Sequence, residues 1–230
     1  LNRLESIDEL DRIITSLTQR REALQIRLES SAARGFPKET EMTDYTRLPE
    51  GLPVPEEDGA ADHLVGMPLP DLTLTTSGGA PLPLSRLGTG TTIIYLYPLT
   101  GRPGVDLPEG WDSIPGARGC STEACDFRDH FDELRDAGAD RVYGLSSQSP
   151  EYQAEVVDRL RLPFSMVSDP RRELGDALRL PTFSAPGHER LYSRLTLVVT
   201  DNVIEHAFYP IFPPNEHAQQ VLGWLRARAR

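Results

Sequence analysis

The feature that most constrains the fold is an alternation of short β-rich runs with helical segments, which begins near residue 65 and continues to the end of the chain. Runs rich in β-branched and aromatic residues predict strands, and apolar residues three or four positions apart predict helices. Strands that alternate with helices are joined by parallel crossovers, whereas two strands joined by a tight turn form a hairpin. The pattern therefore predicts an α/β domain with a mixed central sheet flanked by helices.

The order of the predicted elements is that of the thioredoxin-like fold. Strands are predicted over residues 91–97, 141–146, 164–167, 195–200 and 203–209. Helices are predicted over residues 122–137, 150–160, 171–178 and 215–228. The last two strands meet at Asp201 and Asn202, a dipeptide typical of a tight turn. A fold alone does not give a function, so the function must come from the site.

The residues before this domain divide into two segments. Residues 1–33 form a predicted amphipathic helical arm, whose apolar residues recur at helical spacing: Leu4, Ile7, Leu10, Ile13, Ile14, Leu17, Leu24 and Leu28. A single apolar stripe must pack on the following domain or on a second copy of itself, and we favour a homodimer through this helix. Residues 34–64 are rich in proline and acidic side chains and predict an extended linker. The thioredoxin-like domain is expected over residues 65–230.

The charge of the chain excludes some classes of partner. With 24 basic and 35 acidic residues the formal charge is 24 − 35 = −11, which disfavours binding to nucleic acid or to an anionic membrane. No apolar run approaches the roughly 20 residues that a membrane helix needs. We therefore expect a cytoplasmic protein without nucleic-acid or membrane partners.

The two cysteines, Cys120 and Cys125, indicate redox chemistry. Two cysteines are too few for a disulfide framework, and their spacing does not match a zinc site. Two incidental core thiols are the alternative. Cys120 follows a loop rich in proline and glycine, at the predicted start of a helix. Free backbone N–H groups and the helix dipole at that position are expected to lower the thiol pKa below its usual value of about 8.5. Neither a metal ion nor an organic cofactor is needed for this chemistry.

Residues 119–129, which read GCSTEACDFRD, resemble the active-site signature of the peroxiredoxin Q subfamily, also called bacterioferritin comigratory proteins. The resemblance implies that Cys120 attacks peroxide and that Cys125 resolves the resulting sulfenic acid. It also implies a catalytic role for Arg194, which begins an Arg-x-Thr motif followed by three apolar residues, and a supporting role for Arg128. The implied substrates are hydrogen peroxide or organic hydroperoxides, and the implied reductant is a thioredoxin-type or other thiol protein.

The sequence departs from the family pattern at Ala117, where the family usually has a threonine whose hydroxyl contacts the thiolate. About fifteen residues, 105–119, are interpreted as an insertion before Cys120. Thr100, Ser121 and Thr122 are the candidates to supply the missing hydroxyl. The insertion also carries Trp111, which could shape a pocket for a larger hydroperoxide.

Two thiols five positions apart on an intact helix are about 140° and about 7.5 Å of rise apart, too far for a disulfide. We therefore predict that the helix around residues 121–126 unwinds during resolution. Two alternatives stay open: a disulfide oxidoreductase or redox sensor of the same fold, and a noncatalytic interaction protein assembled through the arm.

Overall fold

The computed structural model describes residues 47–228. The predicted arm, and with it the predicted dimer contact, lies outside the described residues. The same holds for the first part of the predicted linker.

A seven-stranded mixed sheet forms the centre of the domain. Its strands, in chain order, are β1 (Thr73–Thr76), β2 (Pro81–Pro83), β3 (Thr91–Leu96), β4 (Ala139–Ser146), β5 (Met166–Ser168), β8 (Leu195–Thr200) and β9 (Val203–Phe208). The spatial order is β2-β1-β5-β4-β3-β8-β9. The β3–β4 and β4–β5 pairs are parallel, whereas β8 is antiparallel to both β3 and β9. The predicted mixed sheet and its closing hairpin are thereby confirmed.

Helices cover both faces of this sheet. They are α1 (Cys120–Asp129), α2 (Phe131–Asp136), α3 (Pro150–Leu160), α4 (Glu173–Leu178) and α5 (His217–Arg228). Alternate residues of β3 divide between two apolar cores. Ile93 and Tyr95 belong to the core that includes residues of α1, α2, α3 and α5. Ile94 and Leu96 belong to the opposite core, which includes residues of α4 and β1. Both faces of the central strand are therefore buried, which explains its uninterrupted apolar sequence.

The helix predicted over residues 122–137 is in fact two helices. His130, between α1 and α2, has φ −106° and ψ 12°, outside the helical region. Its backbone N–H still donates to the Asp126 carbonyl, and one ring nitrogen lies 2.9 Å from the same oxygen. The helix is therefore interrupted at His130, where the histidine contacts Asp126. The periodicity of apolar residues gave no sign of this interruption.

Two hairpins were not predicted. One is formed by β1 and β2, and the other by β6 (Thr182–Ala185) and β7 (His188–Tyr192), which make a separate two-stranded sheet. The turn of the second hairpin contains Pro186 and Gly187, and the positive φ of 77° at Gly187 suits glycine. The turn signal was present in the sequence, but the flanking strands are short and their burial does not alternate regularly.

Residues at the end of the predicted linker contribute to the core. Ala61 and Leu64 are buried in the core on the α4 face, at the short 3₁₀ helix Asp62–Leu64. The backbone N–H of Gly66 donates to the carbonyl of Ile204 in β9. The domain is therefore anchored before its first strand begins.

Candidate active site

Cys120 is the first residue of α1 and is almost completely buried, with 3% of its surface exposed. Gly119 precedes it with φ 104°, a left-handed conformation that turns the loop into the helix. The Cys120 thiol donates to the carbonyl of Ala117 at 3.5 Å. The sequence-predicted nucleophile therefore sits where a loop and a helix N-terminus meet.

Arg194 lies immediately before β8, and its positively charged guanidinium is next to the Cys120 sulfur. Its Nη2 lies 3.2 Å from the Cys120 Sγ, and its side chain is only 1% exposed. The same nitrogen donates to the carbonyl of Arg118 at 3.1 Å, and Nη1 forms an ion pair with the buried Glu123. One guanidinium thus joins the loop, the first turn of the helix and the reactive sulfur.

The pKa of the Cys120 thiol is raised, and the predicted lowering is therefore wrong for the reduced site. Burial is the largest cause, because a thiolate loses its hydration in the protein interior. Arg194 opposes this shift, and the nearby carboxylate of Glu123 adds to it. The position at a helix N-terminus was predicted correctly, but the depth of burial could not be inferred from it.

Glu123 is a site residue whose role the sequence did not reveal. Burial raises its pKa to about 7, although the charge and hydrogen bond of Arg194 act in the opposite direction. Its Oε1 and the Nε of Arg194 are buried without hydrogen-bond partners among residues 47–228. The signal available in the sequence was a carboxylate one helical turn after Cys120, a position that the helix dipole alone could explain.

The three candidate hydroxyls differ in their surroundings. Thr100 Oγ1 donates to Gln148 Oε1 at 3.0 Å, so this hydroxyl is already engaged. Ser121 lines a small recess beside Cys120. Thr122 Oγ1 is buried and has no hydrogen-bond partner in the described part of the chain. At Ala117, where the family has its threonine, a backbone carbonyl contacts the thiol instead.

Cys125 lies on the same helix as Cys120, and both thiols are free. It is half-buried, and burial raises its pKa while Arg128 acts against this shift. Arg128 also donates through Nη1 to the Leu160 carbonyl at 2.8 Å. The structure thus places Arg128 beside the predicted resolving cysteine, whereas Arg194 is beside the predicted nucleophile.

Residues 105–119, interpreted from the sequence as an insertion, pack on the β6–β7 hairpin. Trp111, in the 3₁₀ helix Trp111–Ser113, is buried with Leu99, Ala117 and Leu191. Its ring centroid lies 6.1 Å from that of Phe183. The insertion is therefore an ordered wall of the site with an apolar cluster of its own.

Two open spaces adjoin the site. The recess beside Cys120 has a volume of about 10 Å³ and is also lined by Trp111. A larger pocket of about 180 Å³ lies on the Arg194 side, and Ile114, Phe183 and Ile211 give it an apolar lining. Within residues 47–228, no group of three or more histidine, cysteine or acidic side chains is arranged to hold a metal ion.

Comparisons with known proteins show what this chain is similar to. A sequence profile of the Redoxin family matches residues 64–222. Peroxiredoxin Q, chloroplastic, of Sedum lineare is 28% identical over 162 residues, covering 69% of this chain and 75% of that protein. Peroxiredoxin Bcp of Escherichia coli (strain K12) is 26% identical over 163 residues, covering 70% and 94%.

A comparison with solved structures shows a similar fold. The crystal structure of Peroxidoxin BcpB from Mycobacterium tuberculosis matches with a TM-score of 0.57 and 25% sequence identity, covering 71% of this chain and 96% of that chain. The predicted thioredoxin-like fold is thereby confirmed.

Proposed function

The chain belongs to the redoxin family as a peroxiredoxin of the Q/Bcp type, and from that premise we propose the roles of its two cysteines. The protein is a thiol-dependent peroxidase, with a peroxide as substrate and a thiol as reductant. Cys120 is the nucleophile and Cys125 resolves its oxidised form. The observation that carries this proposal is the contact of 3.2 Å between the buried Cys120 sulfur and Arg194.

The proposed reaction begins when the Cys120 thiolate attacks one peroxide oxygen. The O–O bond breaks, the other oxygen leaves as water or an alcohol after taking up a proton, and Cys120 becomes a sulfenic acid. Arg194 is placed to stabilise the thiolate and the charge that develops on the leaving oxygen. Because burial raises the pKa of the resting thiol, this cation is the main local group that favours ionisation.

Resolution follows on the same helix. The Cys125 thiol attacks the sulfenic sulfur, a disulfide forms and water leaves. Because α1 is a continuous helix across both cysteines, about 7.5 Å of rise separates them and the helix must unwind first. Two electrons and two protons from an external dithiol then restore both thiols. We propose a thioredoxin-type protein as that reductant.

The two alternative functions have less support. A disulfide oxidoreductase usually carries its cysteines two residues apart, unlike Cys120 and Cys125. A raised thiol pKa taken alone would favour a noncatalytic protein, but a buried arginine beside the sulfur in a redoxin-family chain favours the peroxidase. The predicted homodimer stays a prediction, because residues 1–33 lie outside the described residues.

The cytoplasmic location also stays a prediction. Among residues 47–228, no helix has both the length and the apolar character needed to cross a membrane. The related proteins include one from a bacterium and one that is chloroplastic.

The cysteine roles are tested by intact mass and free-thiol counting before and after one equivalent of hydrogen peroxide. The parent should rapidly lose two thiols and about two mass units as the disulfide forms. Cys125→Ser should accumulate a sulfenic acid that a dimedone probe traps, and Cys120→Ser should not react. If Cys120→Ser is oxidised as fast as the parent, the assignment of the nucleophile is wrong.

A further inference from the structure

Residues 48–55, which we call the strap, run across the outside of the active site. They precede residues 64–222, the part of the chain that matches the Redoxin family. Leu48, Leu52, Pro53 and Pro55 are half-buried against the domain, whereas Val54 points outward with 62% of its surface exposed. The apolar side chains of the strap therefore face the site.

Leu48 touches the residue that precedes the nucleophile. A Cβ placed on Gly119 would lie 2.8 Å from Leu48 Cδ2 and would also collide with the ring of Pro214. The strap and the loop before α5 together fill the space beside Gly119. On this side, Cys120 is separated from the strap by one glycine.

The strap also borders Arg194. Leu52 and Pro53 share with Arg194 a recess that leaves no room for a water molecule. Pro55 lines the 180 Å³ pocket together with the apolar side chains of Ile114 and Ile211. That pocket is also lined by Arg194, the residue that contacts the Cys120 sulfur.

The space beside the sulfur is small compared with most hydroperoxides. The recess at Cys120 measures about 10 Å³, close to the minimum of roughly 10–15 Å³ that one water molecule requires. Hydrogen peroxide is little larger than water, so small adjustments admit it. An organic hydroperoxide with a ring or a long chain needs a wall of the site to move.

The strap, on the Arg194 side of the site, is a wall that can move. Trp111, which lines the recess beside Cys120, is instead buried in an apolar cluster. Within residues 47–228, no backbone–backbone hydrogen bond joins residues 48–55 to the rest of the domain. Segments with few buried contacts and few backbone hydrogen bonds open at low free-energy cost.

We propose that the strap selects hydroperoxides by size. Small peroxides reach Cys120 with the strap in place, and bulky ones react only when it has moved away. The inference rests on the proposed function of Cys120. The strap lies before residues 64–222, the part of the chain that matches the family.

The proposal is tested first by thiol labelling, which does not depend on peroxidase activity. Leu48→Ala and Leu52→Ala each remove one contact in the full chain, and Val54→Ala is the matched control on the exposed side. Labelling by iodoacetamide and by the bulkier N-phenylmaleimide is followed at each cysteine by peptide mass spectrometry. Cys125 serves as an internal reference for the fold of the helix.

We expect the leucine variants to raise the N-phenylmaleimide rate at Cys120 by about tenfold, with a much smaller change for iodoacetamide, because size discrimination by packing is of this order. Val54→Ala and the Cys125 rates should match the parent. Equal rates at Cys120 in all four proteins would overturn the proposal, as would an equal gain in Val54→Ala. The two leucine variants are independent, so if one of them fails to fold the other still decides.

The second measurement compares cumene hydroperoxide with hydrogen peroxide as oxidants. The ratio of their rate constants should rise about tenfold in the leucine variants. If no protein reacts with either peroxide, the proposed function fails while the labelling result still decides whether the strap gates access. If the peroxides react but neither labelling nor the ratio changes, the strap proposal fails and the peroxidase assignment stands.

Discussion

Glu123 and Cys120 share the single guanidinium of Arg194. When Glu123 carries a negative charge, it raises the thiol pKa by electrostatic repulsion of the thiolate. Because burial raises the pKa of this carboxyl from 4.5 to about 7, its charge changes within the physiological range. The ionisation of Glu123 therefore influences the reactivity of Cys120.

The substitution Glu123→Gln removes this charge with little change of shape. A carboxyl whose pKa is raised by folding stabilises the fold fully below its unfolded pKa of about 4.5, and that contribution declines as the pH rises through about 7. Urea unfolding should therefore show a smaller loss of stability between pH 5 and pH 8 in the variant than in the parent. Iodoacetamide labelling of Cys120 at pH 8 should be faster in the variant.

The matched control is Glu133→Gln, which changes a half-exposed carboxyl of α2 that pairs with Arg226. This variant should keep the parent's pH dependence. Identical pH slopes in the parent and in Glu123→Gln would show that Glu123 does not titrate in this range.

At the scale of the elements, the start of α1 depends on the junction between loop and helix. Gly119 has a left-handed backbone, and its missing side chain leaves space that Leu48 and Pro214 fill. Gly138, after α2, has nearly the same φ of 102°, but apart from Gly138 itself and its two neighbours in the chain, no residue of 47–228 has an atom within 4 Å of the point where a Cβ on Gly138 would be. Alanine substitutions at these two glycines therefore distinguish the energetic cost of backbone strain from the energetic cost of a close contact.

We expect Gly138→Ala to destabilise the domain by about 1–2 kcal/mol, the cost of a left-handed alanine. Gly119→Ala should cost about 1–3 kcal/mol more, because its methyl group collides with packed neighbours. Chemical denaturation measures both losses. Cys120 labelling should change only in Gly119→Ala, and equal losses in the two variants would contradict the packing role assigned to Gly119.

At the scale of the whole molecule, the insertion and the β6–β7 hairpin add a third apolar cluster to the two cores of the sheet. Trp111 is the largest side chain of that cluster. The carbonyl of Ala117, in the same cluster, contacts both the Cys120 thiol and Arg194. Packing outside the central sheet therefore holds part of the active site.

Replacing Trp111 with alanine should destabilise the domain by about 3–5 kcal/mol, as expected for a large buried aromatic residue. Urea unfolding measures this loss, and the rate of Cys120 oxidation should fall because the Ala117 carbonyl loses its support. The control is Trp224→Ala, which removes a partly buried ring that stacks on His206. Trp224→Ala should lower the free energy of unfolding by about 1 kcal/mol. A similar loss in Trp111→Ala and Trp224→Ala would show that the third cluster adds little to the stability of the domain.

Elements whose sequence signals are local could be predicted from the sequence. The apolar run of β3 and the hairpin of β8 and β9 were located within one or two residues. The start of α3 was located as well, where the Ser149 hydroxyl caps the helix ahead of Pro150. The placement of both cysteines on one helix was also predicted, from the loop rich in proline and glycine before Cys120 and the amphipathic pattern after it. These features depend on neighbouring residues, so a short stretch of chain contains the information.

The charge and the covering of the site depend on contacts between segments that are far apart in the sequence. Arg194 is 71 residues from Glu123 and 74 from Cys120 along the chain, so only folding brings their charges together. The direction of the thiol pKa shift depends on how deeply the folded domain buries Cys120, and no local pattern specifies that depth. The burial of a group and the charges that act on it depend on every residue that lies close to it in the folded protein. The apolar periodicity of a sequence depends only on residues that are close together along the chain.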